Sequence, residues 1–202
     1  MRTLQTILWT GIVAVGLTTA AWAQGAPPDA FQIRYASNLP IGDSVVNLSN
    51  AGTLAGSDPA GNICVNVYAF SADDTMVACC SCLVSPNGLN SLSARNDLAS
   101  NTLTPAVPTS LVIKLLATEP VGGTCNPSLP STPNLAPGMR AWGTTLHANG
   151  STSPATYALT ETDFSKATLS DSELTSLTDT CGFIQSDGAG FGICKSCRLG
   201  GL

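Results

Sequence analysis

The sequence predicts a mainly β fold: an antiparallel, immunoglobulin-like sandwich with one C-terminal helix, stapled by disulfides. Three observations carry that expectation. Through most of the 202-residue chain, apolar residues recur with a period of two or in short unbroken runs, the signature of half-buried and fully buried strands. Turn residues separate these runs, without the alternating helical patterns that a parallel sheet needs. Finally, eight cysteines stand at Cys64, Cys79, Cys80, Cys82, Cys125, Cys181, Cys194 and Cys197, an even set in a chain that opens with an export signal.

Residues 1–23 carry that signal. Arg2 supplies the charge, an apolar run extends from Ile7 to Leu17, and Ala21-Trp22-Ala23 precedes Gln24 in the small-x-small pattern of a cleavage site. The apolar run is short for crossing roughly 30 Å of hydrocarbon. Cleavage leaves residues 24–202, read as a single β-sandwich domain with a C-terminal helix and a Cys-rich tail, and with no later membrane span. The expected location is secreted or periplasmic, by bacterial-type export.

Seven segments read as strands: Phe31–Ala36, Ser44–Ser49, Ile63–Phe70, Thr75–Cys80, Leu111–Thr118, Arg140–Ala148 and Thr156–Thr160. In Ile63–Phe70 one face would carry Ile63, Val65, Val67 and Ala69, the other Cys64, Asn66, Tyr68 and Phe70. Ser85-Pro86-Asn87-Gly88 reads as a turn, Pro presetting φ and Gly accepting positive φ. Asn149-Gly150 reads as a hairpin signal. The Pro-rich stretch Gly122–Gly138 is a long irregular loop that Cys125 ties to the body. One helix is well marked. Ser170-Asp171-Ser172-Glu173 forms a capping box in which Ser170 and Glu173 satisfy each other's backbone donors, and Leu174, Leu177, Cys181 and Ile184 follow as one apolar stripe.

Charge narrows the partners. The formal net charge is −5, and loss of Arg2 with the leader makes it −6. Nucleic acid and anionic membranes, which need clustered Lys and Arg, are disfavoured. Charged residues make up only 10% of the chain, against about 25% in ordinary domains, so Ser, Thr, Asn and Gly carry the polarity. Such a surface is shielded by neighbours or tolerant of association.

The cysteines admit three chemistries. Structural disulfides follow from the compartment, with the Cys194/Cys197 region linked to Cys181 and to the Cys79–Cys82 cluster. Zinc would need the Cys79–Cys82 cluster and Cys194–Cys197 brought together by the fold. Redox catalysis would need a helix after Cys194 to lower a thiolate pKa, and only Arg198-Leu199-Gly200-Gly201-Leu202 follows. The expectation is no metal and no cofactor. His147 alone would have to supply the base of any Ser–His–Asp hydrolase, and no Gly-x-Ser-x-Gly elbow occurs. Gly188-Ala189-Gly190-Phe191-Gly192 precedes no helix and is a flexible turn rather than a phosphate cradle. Asp73-Asp74 supplies too few oxygens for calcium. Carbohydrate binding would use aromatic platforms, and past the leader Trp142 is the one tryptophan.

Three stretches, Gly61–Tyr68, Cys79-Cys80-Ser81-Cys82 through Asn101-Thr102-Leu103-Thr104-Pro105, and Leu177 through Arg198, together resemble a family of exported, cysteine-rich bacterial proteins with no known activity. The resemblance implies a shared fold and an extracytoplasmic home, and it carries no catalytic residues across.

The functional expectation is therefore a non-enzymatic, secreted structural or cell-surface protein. Its concrete form is an extracellular filament subunit assembling with itself by β-strand addition. Phe31, Ile33, Tyr35, Val45, Val46 and Leu48 are the candidate assembly strand, because the segments Ser44–Ser49 and Ile63–Phe70 hold no charge and Leu111–Thr118 holds only Lys114, whereas monomers usually protect sheet edges with lysine, proline or bulges. The alternative is a monomeric binding module for a carbohydrate, a metal or a surface partner.

Overall fold

The computed structural model describes residues 27–52, 58–100, 106–150 and 156–187, with Cys194 and Cys197. Residues 1–26, in which the export signal is expected, the Gly188–Gly192 segment and the Asn101–Pro105 stretch lie outside the described residues. Among the described residues nine strands form two antiparallel sheets: β1 (Phe31–Ala36), β2 (Val45–Asn50), β3 (Ile63–Phe70), β4 (Met76–Val84), β5 (Leu89–Ser93), β6 (Leu111–Thr118), β7 (Met139–Ala148), β8 (Tyr157–Asp163) and β9 (Ser165–Lys166). One sheet, here the stapled sheet, runs β4-β3-β6-β1-β9; the other, the bare sheet, runs β5-β2-β7-β8. Among the described residues one α-helix, α1 (Asp171–Ser186), follows β9.

Period-two alternation builds the interior. Val46, Leu48 and Leu92 from the bare sheet meet Ile63, Val65, Val67, Ile113 and Leu115 from the stapled sheet in one buried cluster. The opposite face of the stapled sheet forms a second cluster, in which Phe31, Tyr68, Met76, Cys79 and Leu116 receive Leu174, Leu177, Cys181 and Ile184 of α1. The helix stripe is thus the one its spacing predicts. Its cap is half of the box: Ser170 Oγ accepts from the Glu173 amide at 3.1 Å. The Glu173 carboxylate turns instead to Lys114 Nζ at 2.6 Å, where the ammonium also lies 4.5 Å from the Phe70 ring centre. A full charge from β6 outbids the neutral backbone amide.

The structure extends, matches or corrects the sequence reading in five places. β4 continues through Cys82 to Val84, because alternation runs through the cysteine cluster: Cys79 faces α1, while Cys80 and Cys82 face the interior. β5, with the sequence Leu-Asn-Ser-Leu-Ser, carries too little apolar character to read as a strand, yet pairs along β2. A π-helical turn at Ala94–Ala99 follows it, capped by Ser93 Oγ. The Ser85–Gly88 turn joins β4 to β5, with Asn87 at φ 58° and the Gly88 amide on Ser85 O at 2.8 Å. Asn149-Gly150 begins a longer connection, closed by the Asn149 amide on Thr156 O at 2.9 Å, rather than making a two-residue turn.

All eight cysteines are paired, as Cys64–Cys125, Cys79–Cys181, Cys80–Cys194 and Cys82–Cys197. The C-terminal cysteines do bond the Cys79–Cys82 cluster. Cys181 bonds Cys79 and not the Cys194/Cys197 region, because Cys79 is the member of the cluster on the helix side. Cys125 ties its loop to β3, and buried Tyr68 adds a hydrogen bond from its hydroxyl to Pro127 O at 2.7 Å. With four disulfides the chain belongs in an oxidising compartment outside the cytoplasm. Among the described residues no helix is long and apolar enough to cross a membrane.

Candidate functional site: a bare sheet face and its open edge

The outward residues of the bare sheet form rows across the strands. Register places Ser91, Asn47, Trp142 and Asp163 in one row, and Ser93, Val45, Thr144 and Glu161 in the next. Four strands span roughly 14 Å at the usual strand spacing. Trp142 is half-buried at the middle of this face. Ser91 Oγ donates to Asn47 Oδ1 at 2.7 Å, which orients the Asn47 amide group. Nearby, Arg140 pairs with Asp29 at 2.8 Å. Leu146, Leu159, Ala148 and Tyr157 continue the face beyond the two polar rows, with Tyr157 50% and Leu159 62% exposed.

β8 is the edge of this sheet. The Asn149 amide bonds Thr156 O and the Phe164 amide bonds Ala141 O, both at 2.9 Å, so the even-numbered residues of β8 face β7. By alternation, Tyr157, Leu159, Glu161 and Asp163 direct their backbone N–H and C=O groups to the open side. The other edge strands are β9, β5 and β4. β9 has two residues. On β5 the Ser93 amide is capped by Asp97 Oδ2 at 2.7 Å. β4 has Cys181 bonded on one face and Cys194 and Cys197 on the other.

Besides its ladder to β7, β8 is tied to the sandwich by a buried arginine. Arg34 projects inward from β1 and donates from Nη1 to Ser44 Oγ at 3.1 Å, from Nη2 to Thr145 Oγ1 at 2.7 Å and from Nε to Thr162 Oγ1 at 3.2 Å. Its partners are hydroxyls rather than carboxylates, and burial lowers its pKa from the ordinary arginine value. Gly143 makes the room: a Cβ there would stand 2.8 Å from Arg34 Nη1 and 3.0 Å from Val45 O. Neither residue drew attention as a sequence. The available signal was a glycine inside a strand pattern, which marks close approach.

The sequence-derived candidates fall elsewhere. Phe31, Ile33 and Tyr35 lie on β1, which pairs with β6 along its whole length; Val45, Val46 and Leu48 lie on β2, between β5 and β7. Phe31, Val46 and Leu48 are buried in the chain's own sandwich. His147 is exposed, its Nε2 2.9 Å from Thr160 Oγ1. Asp73 sits in the β3–β4 turn, where hydrogen bonds from Ser71 and then Thr75 hold its carboxyl below the usual range. The crevice beside the Cys64–Cys125 bridge measures about 120 Å³, below the roughly 300 Å³ at which ligand pockets begin. A wider, open hollow of about 580 Å³ lies between Pro27–Phe31 and Lys166–Leu169, with Lys166 as its one charged lining residue.

Comparison with protein-family models, with curated proteins and with solved structures finds no match to this chain.

Proposed function

We propose that the protein is an extracytoplasmic structural or cell-surface protein that self-associates by β-strand addition, with β8 as the pairing edge. One observation supports this reading: a strand of seven residues offers unpaired backbone groups at Tyr157, Leu159, Glu161 and Asp163 on the open side of an edge strand, while β9 has two residues and the Ser93 amide of β5 is capped. A row of free amides and carbonyls is a template for another strand. Relative to the expectation from sequence, the assembling strand moves from β1 and β2, already committed to partners inside the chain, to β8. The test is Leu159→Pro. The Leu159 amide faces outward, so proline there removes an edge donor and leaves the ladder to β7 intact. Light scattering of the oxidised mature protein is expected to show an oligomer that this substitution converts to monomer. A wild-type protein that stays monomeric at high micromolar concentration contradicts the proposal.

A second reading rests on Trp142. An indole beside the Asn47 amide and the Asp163 and Glu161 carboxylates supplies an apolar platform with donors and acceptors around it, the chemistry that grips a sugar ring. Affinity electrophoresis against a panel of neutral polysaccharides tests it. Retardation that Trp142→Ala abolishes favours the reading, and uniform migration through every polysaccharide disposes of it.

A further inference from the structure

Resting on the strand-addition reading, we infer that the partner of β8 is the β8 of a second copy, antiparallel and related by a two-fold axis at Thr160. Register selects this pairing. Open backbone groups belong to the odd-numbered residues, so an antiparallel copy must set odd opposite odd. An axis at Glu161 opposes that carboxylate to its own copy, and an axis at Thr162 opposes Glu161 to Asp163. Like charges directly opposite are destabilising in both. An axis at Leu159 leaves Asp163 opposite residue 155, outside the strand. An axis at Ala158 pairs fewer residues still.

The axis at Thr160 alone engages the whole of β8 without a like-charge pair. It sets Tyr157 opposite Asp163, Ala158 opposite Thr162, Leu159 opposite Glu161 and Thr160 opposite itself. The carboxylates then meet an aromatic and an aliphatic neighbour, and the two threonines meet in the close, non-hydrogen-bonded pair that suits a Thr–Thr contact. β5 is the weaker mate for β8. It has five residues, and its Ser93 amide is already capped by Asp97. The interface is therefore isologous and closes at a dimer. The two bare sheets join as one eight-stranded face, with both copies of Trp142 on the same side.

Thr160 is exposed, and cross-strand cysteines in a non-hydrogen-bonded pair come near disulfide geometry. The test is air oxidation of single Thr160→Cys and Leu159→Cys variants, read on non-reducing gels beside light scattering of the wild type. The expected result is a covalent dimer from most of the Thr160→Cys protein, at least ten times the yield from Leu159→Cys. Mixing Leu159→Cys with Glu161→Cys should give the heterodimer. Efficient cross-linking of Leu159→Cys with none from Thr160→Cys overturns this register and leaves strand addition standing. A dimer that neither cysteine traps, and that survives Leu159→Pro, overturns both the register and the reading beneath it. A monomeric wild type does the same.

Discussion

The two sheets of this protein share a core and differ in nearly everything else. The stapled sheet has both faces covered, by the bare sheet on one side and by α1 with the β6–β7 loop on the other. All four disulfides root in its strands β3 and β4. The bare sheet contains no cysteine, leaves one face to solvent and ends in an open edge. Covalent links concentrate in the stapled sheet, whereas the bare sheet is held by its ladders and by burial of one face, with Arg34 bonded at its flank.

The sharpest way to break the contrast is to remove a staple. A Cys79→Ala/Cys181→Ala double variant, which frees α1 from β4, should lose about 2–5 kcal/mol in urea unfolding. Glu161→Gln or Ser91→Ala on the bare face should stay within about 0.5 kcal/mol of wild type. Equal costs would erase the distinction.

Next comes the flank. Gly143→Ala drives a methyl group into the space of Arg34 Nη1 and against Val45 O, and should cost about 1–3 kcal/mol. Removing the guanidinium as well, in Arg34→Ala/Gly143→Ala, should cost less than the two single losses added, because both act on one space. Additive losses in a thermodynamic cycle would show that the glycine is not there for the arginine.

The smallest effect belongs to pH. Burial raises the Tyr68 phenol well above its ordinary pKa near 10.0, so the folded state keeps a proton that the unfolded chain releases. Stability from this group is complete below about pH 10 and falls above it, by up to about 1.4 kcal/mol per pH unit. Tyr68→Phe should flatten that alkaline slope in denaturant titrations, at the cost of about 1 kcal/mol for the lost bond to Pro127. A slope unchanged in the variant would assign it elsewhere.

Much of the stapled sheet was legible from the amino acids. β1, β3 and β6 have the limits their alternation predicts, and the α1 stripe is marked by its own spacing. The bare sheet was harder. β5 is polar at three of its five positions, and of its two leucines only Leu92 is buried. β4 was cut short because consecutive cysteines read as a cluster rather than as alternation. The order of strands in each sheet, and with it which edge stays open, is a long-range property that local pattern does not carry. The Arg34–Gly143 contact joins residues 109 positions apart in the chain, and neither stands out alone. Disulfide connectivity was half legible: compartment and count implied full pairing, while the choice between Cys79 and Cys80 for Cys181 depends on which face of β4 the helix covers.

The most direct measurement of the central claim is site-resolved amide hydrogen exchange at Leu159 and Glu161, followed across a hundredfold dilution of the oxidised protein. The account predicts slow exchange at high concentration that becomes fast on dilution, while amides in β3 stay protected throughout. Exchange at Leu159 and Glu161 that is fast at every concentration would contradict it, leaving β8 an edge that nothing joins.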